Sequence, residues 1–186
     1  MAGGSTLPLD ERAMALVVAS RADGQGPRRG YVPAGTETNV DREQVLKWGN
    51  RHCGEDKARV VGLVKADHDA VIEPFVEGRS ERVLIVGDRA WRLGYESADW
   101  RKNVKAAVSP LPVDGDLEAR ARRTAERLEL SVAGVDYIVN GAGATLLEVN
   151  AYPGLDDVPE AAEAFVELAA TWWRHVCDQA VGPQRA

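Results

Sequence analysis

The segment at residues 130–155, LSVAGVDYIVNGAGATLLEVNAYPGL, constrains the fold of this chain more than any other stretch. Two runs of alternating side chains, at residues 132–139 and 145–150, flank the short sequence NGAG. Alternation is typical of strands with one buried face, and a short glycine-rich connection is typical of a hairpin turn. The segment therefore predicts a β-hairpin.

The register of this hairpin decides which side chains meet. With the loop centred on Ala142, Val139 pairs with Thr145, and Asp136 lies directly opposite Glu148. Cross-strand Cβ atoms are only about 5 Å apart, so two facing carboxylates repel each other. The spacing therefore predicts that a cation lies between them.

Asn150 adds a third oxygen-bearing side chain on the face that carries Glu148, because residues two apart in a strand share a face. Two carboxylates and a side-chain amide are hard oxygen ligands, which hold Mg²⁺ and leave positions for water and substrate phosphates. From the spacing alone, a hairpin that carries acids on its solvated face is an equally good interpretation.

The motifs AGVDYIV and LLEVNAYPGLD closely resemble the metal-binding end of ATP-grasp enzymes, above all the ribosomal-protein glutamate ligases. Glutathione synthetases and D-alanine-D-alanine ligases are more distant relatives. The family pattern is an Asp, then Glu-x-Asn on the next strand, then a Pro-Gly turn. Those positions here are Asp136, Glu148, Asn150, Pro153 and Gly154. The resemblance covers residues 71–176, and it implies that the first three hold one or two Mg²⁺ ions, or Mn²⁺.

A second block, at residues 71–95, joins an extended piece, IEPFV, to two strands that are predicted to meet at a tight Gly-Asp turn. It resembles the interlobe linker of ATP-grasp enzymes, which implies a site for ATP. By residue matching, the resemblance implies that Glu73, Phe75 and Val76 contact adenine. It implies that Glu81 contacts the ribose and that Arg82 faces the phosphates. Without the resemblance, Arg82 is better interpreted as a surface cation that pairs with a neighbouring acid.

The sequence SADWRKNV resembles an aromatic-Arg-x-Asn element of the same family. The resemblance implies that Arg101 lies on the side of the acyl phosphate or the acceptor. It also implies that Asn103 contacts phosphate or a metal-bound oxygen. The family often has basic residues before this element, where this chain has Gly-Tyr-Glu.

Upstream of these blocks the predictions rest on local patterns. Residues 15–20, ALVVAS, predict a short buried strand, and residues 41–51 predict a short helix. The glycine-rich turn at residues 23–30 resembles a loop that covers the triphosphate in the family. The lysine that usually precedes that loop is not evident. Arg28 and Arg29 are candidates to replace it, but a solvated turn with two surface arginines is the preferred interpretation.

Two helices are predicted in the second half of the chain. Residues 117–128, and a segment that begins at Pro159, have apolar side chains at helical spacing. In the last helix, Trp172 and Trp173 are expected to be core and rim residues. A base-stacking platform is disfavoured there, because the neighbouring acids would repel a nucleic acid.

Composition excludes several classes of protein. With 186 residues, 45% of them hydrophobic, the chain is long enough for one substantial domain or two small lobes. A net charge of −6 argues against general nucleic-acid binding, which needs a basic face. No signal peptide or long apolar run occurs, and Cys53 and Cys177 lack metal-like spacing. We expect a cytoplasmic protein with two unpaired thiols, and no membrane or nucleic-acid partner.

Together these elements predict an α+β fold, namely an ATP-grasp fold with antiparallel sheets flanked by helices. The expected division is a disordered or vector-derived start (1–14), a divergent small lobe (15–76), a large lobe with the metal site (77–180) and a tail (181–186). No room remains for the α/β domain that usually precedes the lobes. The chain is therefore expected to be an excised portion, to receive missing parts from a partner or a second copy, or to be a degenerate relative.

The resemblance implies an ATP-dependent ligase that joins a carboxylate to an amine, such as an amino acid or peptide, through an acyl phosphate. Two alternatives stay open. The missing lysine favours a non-catalytic or partner-dependent nucleotide-binding subunit. An ATP-grasp-type kinase would instead release ADP without free phosphate. The retained acidic pair and Arg82 favour activity, because a dead domain need not keep two repelling carboxylates.

Overall fold

The computed structural model describes residues 16, 18–48, 56–101 and 106–180, and these residues form two antiparallel sheets. The strands of the first sheet are β1 (Gly30–Val32), β2 (Glu37–Trp48), β3 (Lys57–Lys65) and β4 (Ala70–Pro74). Their spatial order is β1-β4-β2-β3, so β2 and β4 are the inner strands.

Two helices accompany the second sheet, one between its strands in the sequence and one after its last strand. Its strands are β5 (Arg79–Val86), β6 (Arg89–Glu96), β7 (Ala107–Leu111), β8 (Val132–Asn140) and β9 (Gly143–Asn150), in the order β7-β6-β5-β8-β9. The two long helices are α1 (Gly115–Arg127) and α2 (Pro159–Ala180). The predicted α+β class, with antiparallel sheets flanked by helices, is confirmed.

The central strand β5 explains how the helices are held. Its sequence VLIV is apolar without alternation, which is typical of a strand covered on both faces. One face packs against α1, through Val83 and Ile85 on the strand and Leu117 and Ala121 on the helix. The other face packs against α2, through Leu84 and Val86 on the strand and Ala161 and Ala164 on the helix. The hydrophobic core therefore has a layer on each side of this sheet.

The start of α1 is fixed by a side-chain cap. Asp114 precedes the helix, and its carboxylate accepts a hydrogen bond from the backbone N–H of Leu117 at 3.1 Å. This bond satisfies one of the N–H groups that have no partner within the helix. Asp116 and Glu118 in the first turn face the positive end of the helix dipole. The helix predicted for this region is confirmed.

The strand predicted at residues 15–20 is wrong where the chain is described, because residues 18–23 are helical. The buried side chains Leu16, Ala19 and Ala22 recur every three residues, which is helical spacing. Ala19 joins the core cluster between α1 and the second sheet. Packing against that sheet therefore overrides the strand propensity of the short VVA run.

The helix predicted at residues 41–51 is also wrong for its described part, which belongs to β2. Val45, Leu46 and Lys47 are all buried. Leu46 packs into the core of the first sheet, whereas Val45 and Lys47 face a cavity on the other side. Because both faces of the strand are covered, the alternation that identifies a strand is lost.

The hairpin of β8 and β9 is confirmed, with one change of register. Asp136 lies opposite Glu148 as predicted, but Val139 pairs with Ala144 rather than with Thr145. The turn is one residue shorter than expected. A β-bulge compensates, since Leu147 has no pairing partner between Leu146 and Glu148. The two differences cancel at the predicted acidic pair.

The last helix begins at Pro159 as predicted, but its second half does not pack as expected. Trp172 and Trp173 are 63% and 62% exposed, so their assignment to core and rim is wrong. The contacts of α2 with the sheet end near Leu168, and the helix continues beyond them. Among the described residues, no helix is both long enough and apolar enough to cross a membrane.

Candidate nucleotide and metal site

A cavity lies between the two sheets and collects most of the predicted nucleotide contacts. Its wall on the first sheet comes from β2, β3, β4 and the linker that follows, and its wall on the second sheet comes from β8 and β9. The lining side chains that were predicted from the sequence are Glu73, Phe75, Val76, Arg101 and Glu148. Lys47 and Lys57 also line this cavity and were not predicted.

Asp136 and Arg82 form the buried core of the site. The pairing of β5 with β8 places these two residues directly opposite each other. Arg82 Nε lies 2.6 Å from Asp136 Oδ1, and Nη2 lies 2.9 Å from Oδ2. Only 2% of Asp136 is exposed. Arg82 therefore supplies a cation to Asp136 from the neighbouring strand, and its interpretation as a surface residue is wrong. The ion predicted between Asp136 and Glu148 stays a prediction.

The glycine of the AGVD motif makes room for this pair. A Cβ atom at Gly134 would lie 3.1 Å from Arg82 Nε and 3.0 Å from the Cβ of Pro153. Such approaches are closer than side chains normally allow, so the arginine crosses β8 where no side chain stands. Gly134 and Pro153 thus belong to the packing that directs Arg82 toward Asp136.

Two further side chains complete the cluster. The amide Nδ2 of Asn150 donates to Asp136 Oδ2 at 3.1 Å, which turns the amide oxygen of Asn150 away from Asp136. Glu148 faces Asp136 across the hairpin and lines the cavity. The three predicted metal ligands are therefore brought together.

The charges in this cluster perturb one another. Desolvation raises the pKa of Asp136, and repulsion from Glu148 adds to it, while the hydrogen bonds from Arg82 act in the opposite direction. Burial alone would lower the pKa of Arg82, but its hydrogen bonds to Asp136 outweigh that effect and raise it. The guanidinium lies 5.4 Å from the ring centre of Tyr95, within cation–π range. Arg82 is thus permanently charged and firmly held.

The donor set suits a hard divalent cation. Two carboxylates and an amide oxygen are the ligand types that magnesium and manganese prefer in proteins. Within the described ranges, no group of three or more His, Cys, Asp and Glu side chains could hold a metal, so a site here needs the amide of Asn150. Asp136 would share its oxygens between the ion and Arg82.

Glu73 is held by two cations at the opposite wall. Its carboxylate forms ion pairs with Lys47 and, through Oε2, with Arg29 Nε at 2.8 Å. All three side chains are about 95% buried. The interpretation of Arg29 as a solvated turn residue is therefore wrong, while Arg28 is exposed as expected.

Lys47 was missed because its strand was interpreted as a helix. It is the next-to-last residue of β2, after the apolar pair Val45 and Leu46, and it faces the cavity. A run of apolar residues that ends in lysine just before a glycine-containing connection was the available signal. Arg29 gave no such signal, because the two partners that join it to the sheets, Glu73 and Leu147, are 44 and 118 residues away in the chain.

Glu81 lies away from the cavity. Because side chains alternate along β5, it points to the face opposite Arg82. It is buried there, with Arg92 Nη2 at 2.7 Å from Oε2 and Arg79 Nη2 at 3.1 Å from Oε1. The structure does not bring Glu81 together with Glu73 or Arg82.

Arg101 lines the cavity beside Trp100. Its guanidinium donates to both carboxylate oxygens of Asp99, at 2.9 and 2.5 Å. These hydrogen bonds lower the pKa of Asp99 to about 2. Asn103, the other residue predicted in this element, lies outside the described residues.

Comparison with known proteins supplies a family context. A family model described as a RimK-like ATP-grasp domain matches residues 60–170. A probable alpha-L-glutamate ligase of Xanthomonas oryzae pv. oryzae is 38% identical over 96 residues, which are 47% of this chain and 32% of that protein. The chain thus matches about a third of the length of this relative.

Solved structures share the fold. A D-alanine-D-alanine ligase of Bacillus anthracis superposes with a TM-score of 0.60 at 15% identity, covering 83% of this chain and 63% of that one. A RiPP-associated ATP-grasp ligase of Chryseobacterium gregarium, in complex with ADP and a leader and core peptide, gives a TM-score of 0.60 at 17% identity. This match covers 86% of this chain and 59% of the ligase chain.

Proposed function

This chain belongs to the RimK-like ATP-grasp family, and on that premise we propose that it is an ATP-dependent ligase that joins a carboxylate to an amine. The observation that carries the proposal is one cluster formed by Arg82, Asp136, Glu148 and Asn150, which borders the cavity between the sheets through Glu148. A permanent cation, a buried acid, a half-buried acid and an amide side by side suit the transfer of a phosphoryl group.

ATP would occupy the cavity between the sheets. Phe75 and Val76 follow β4 and offer an apolar edge for adenine, beside the carboxylate of Glu73. Lys47 would supply the phosphate-contacting lysine that the sequence interpretation lacked, since it lies near the end of β2 and faces the same cavity. Glu81 is left out of this site, because its carboxylate is bound to arginines on the other face of β5.

Asp136, Glu148 and Asn150 would hold one or two Mg²⁺ ions, or Mn²⁺. A bound ion neutralises phosphate charge and holds the polyphosphate in a fixed position. Arg82 would contact the oxygens of the phosphoryl group that is transferred, and its charge does not depend on pH in the physiological range. Arg101 and Asn103 remain predicted contacts on the acceptor side.

In the proposed reaction, an oxygen of the substrate carboxylate attacks the γ-phosphorus of ATP. The bond to the β,γ-bridging oxygen breaks, and ADP leaves. The amine then attacks the carbonyl carbon of the acyl phosphate, loses a proton and displaces inorganic phosphate, which leaves an amide. Such chemistry asks the protein mainly for positioning and for neutralisation of charge.

The two sheets support the predicted division into a small lobe at 15–76 and a large lobe at 77–180, because β4 ends at Pro74 and β5 begins at Arg79. The carboxylate and the amine, an amino acid or peptide, stay unnamed. A partner protein or second copy and a cytoplasmic location stay predictions. The alternative of a non-catalytic subunit rested on the missing lysine, and the position of Lys47 at the cavity weakens that alternative.

The first test is calorimetric titration of a non-hydrolysable ATP analogue into the chain, with and without Mg²⁺. We expect binding that requires Mg²⁺ and that is lost in Glu148→Ala. Glu163→Ala, which removes an exposed acid from α2, is the matched control and should bind normally. If the wild-type chain and Glu148→Ala bind equally, the metal assignment is wrong.

Turnover then separates the ligase from the kinase. A ligase releases inorganic phosphate together with ADP when both a carboxylate and an amine are present. A kinase releases ADP alone and leaves phosphate on its acceptor. Phosphate release that depends on both substrates supports the proposal, whereas ADP formation with a stably phosphorylated acceptor contradicts it.

A further inference from the structure

Arg29 lies between the two sheets and contacts both of them. Its Nε donates to Glu73 Oε2 on β4 at 2.8 Å, and its Nη2 donates to the backbone oxygen of Leu147 on β9 at 2.7 Å. Its Nη1 donates to the backbone oxygen of Leu16 at 3.3 Å and to the hydroxyl of Ser20. Each guanidinium nitrogen therefore has an acceptor, and 5% of the side chain is exposed.

At the first sheet, Arg29 changes the charge of the cavity wall. Glu73 divides its two oxygens between Lys47 and Arg29. Without Arg29, Lys47 and Glu73 would form a neutral pair. With it, the three side chains carry one net positive charge. Because these groups are buried, that charge is poorly screened by solvent and attracts an anion strongly.

At the second sheet, Arg29 binds the β-bulge. Leu147 is the extra residue of β9, and bulges redirect the side chains next to them. Glu148 follows immediately and is the acid that faces both Asp136 and the cavity. A charge-assisted hydrogen bond to the Leu147 oxygen therefore holds the backbone one residue before a proposed metal ligand.

The segment that carries Arg29 is itself anchored to α1, which packs on the second sheet. Asp23 has a fully buried side chain, which pairs with Arg120 of α1 at 2.7 and 2.5 Å. Arg127 Nη1 donates to the backbone oxygen of Ala22 at 2.6 Å. The chain is therefore tied to α1 six residues before Arg29.

From these contacts we infer that Arg29 is a positioning residue for the nucleotide and metal site. By pairing with Glu73, Arg29 leaves one net positive charge on the group of Arg29, Glu73 and Lys47. By its hydrogen bond to the Leu147 oxygen, it fixes the position of Glu148. This inference rests on the proposed function for its consequences for nucleotide binding. The link to the bulge rests on geometry alone.

Two substitutions separate the two effects. Arg29→Lys keeps a charge beside Glu73, but a single ammonium lacks the planar fork that reaches Glu73 and Leu147 together. Arg29→Met removes both contacts. We expect Arg29→Lys to bind the ATP analogue within about threefold of wild type but to need several-fold more Mg²⁺. We expect Arg29→Met to lose affinity by about tenfold or more.

The position of β9 can be measured without any nucleotide. Amide hydrogen exchange of a peptide that covers residues 145–150 should be accelerated about tenfold in both variants, because the bulge loses a charge-assisted bond. Arg28→Met is the matched control, since Arg28 is adjacent and exposed. It should match wild type in affinity, Mg²⁺ requirement and exchange.

The outcomes decide between the inference and the function. If the wild-type chain does not bind the analogue with Mg²⁺, the proposed function fails, and the exchange experiment still tests the link to Leu147. If Arg29→Met does not fold, Arg29→Lys carries the test. Unchanged exchange and unchanged Mg²⁺ requirement in a folded Arg29→Lys chain would overturn the inference.

Discussion

Arg82 and Asp136 lie directly opposite each other on β5 and β8, joined by two hydrogen bonds of 2.6 and 2.9 Å. The pair connects two parts of the sequence that are 54 residues apart. A buried carboxylate is costly without a partner, so the arginine has a structural role as well as its proposed role toward phosphate.

Arg82→Met should therefore destabilise the fold, by about 3 kcal/mol, because it leaves Asp136 buried and unpaired. The free energy of unfolding, measured in urea, tests this. The double variant Arg82→Met with Asp136→Asn should recover part of the loss, since the unpaired charge is gone. Equal stability of the single and double variants would contradict the assignment of the loss to the buried charge.

Lys47→Met should weaken the Mg²⁺-dependent binding of the ATP analogue by about tenfold, which corresponds to about 1.4 kcal/mol of binding free energy. The reason is the loss of a buried cation that faces the cavity. Lys65→Met is the control, because Lys65 is exposed at the end of β3. Calorimetry on both variants checks the prediction, and equal affinities would remove Lys47 from the phosphate site.

Tyr137 predicts how stability depends on alkaline pH. Desolvation raises the pKa of its phenol above the ordinary value, and Asp23 nearby adds to that. Above about pH 10 an unfolded tyrosine loses its proton while the folded one retains it, so the unfolded state binds fewer protons and stability falls as pH rises. Urea unfolding between pH 8 and about 11 should show this decline, and Tyr137→Phe should make it shallower. A decline of the same slope in both chains would contradict the burial argument.

The sequence predicted the elements whose determinants are local. The hairpin of β8 and β9, the turn between β5 and β6 and the start of α2 depend on alternation, on glycine and on proline within a few residues. Asp136 and Glu148 were paired correctly although the turn length was wrong, since the bulge at Leu147 restores the register. A bulge has no sequence signal strong enough to be expected in advance.

Features that depend on distant contacts were missed. The apolar run of β2 is covered on both faces, so it lacks the alternation of a strand. Because this strand was predicted as a helix, Lys47 was not predicted as a site residue. Arg29 lies between the two sheets, and the partners that it contacts there, Glu73 and Leu147, are far from it along the chain. The exposure of Trp172 could not be predicted either, because an apolar stripe on a helix does not show how far along the helix the packing against the sheet extends.

Asn150 gives the sharpest test of the metal site without nucleotide. Asn150→Asp replaces a hydrogen-bond donor to Asp136 with a third carboxylate, so repulsion should destabilise the chain in EDTA. Added Mg²⁺ should relieve the repulsion, and the rise in Tm on adding Mg²⁺ should be larger than for wild type. Thermal unfolding with and without Mg²⁺ measures both effects.

Asn140→Asp is the matched control for this experiment. Asn140 lies on the same hairpin and also donates through its amide, to the backbone oxygen of Glu77 at 2.7 Å. Its substitution loses a hydrogen bond of comparable length, but at an exposed position at the end of β8 and away from Asp136. Mg²⁺ should therefore not rescue Asn140→Asp. Equal rescue of the two variants would mean that the ion acts on net charge in general, and the site built from Asp136, Glu148 and Asn150 would lose its support.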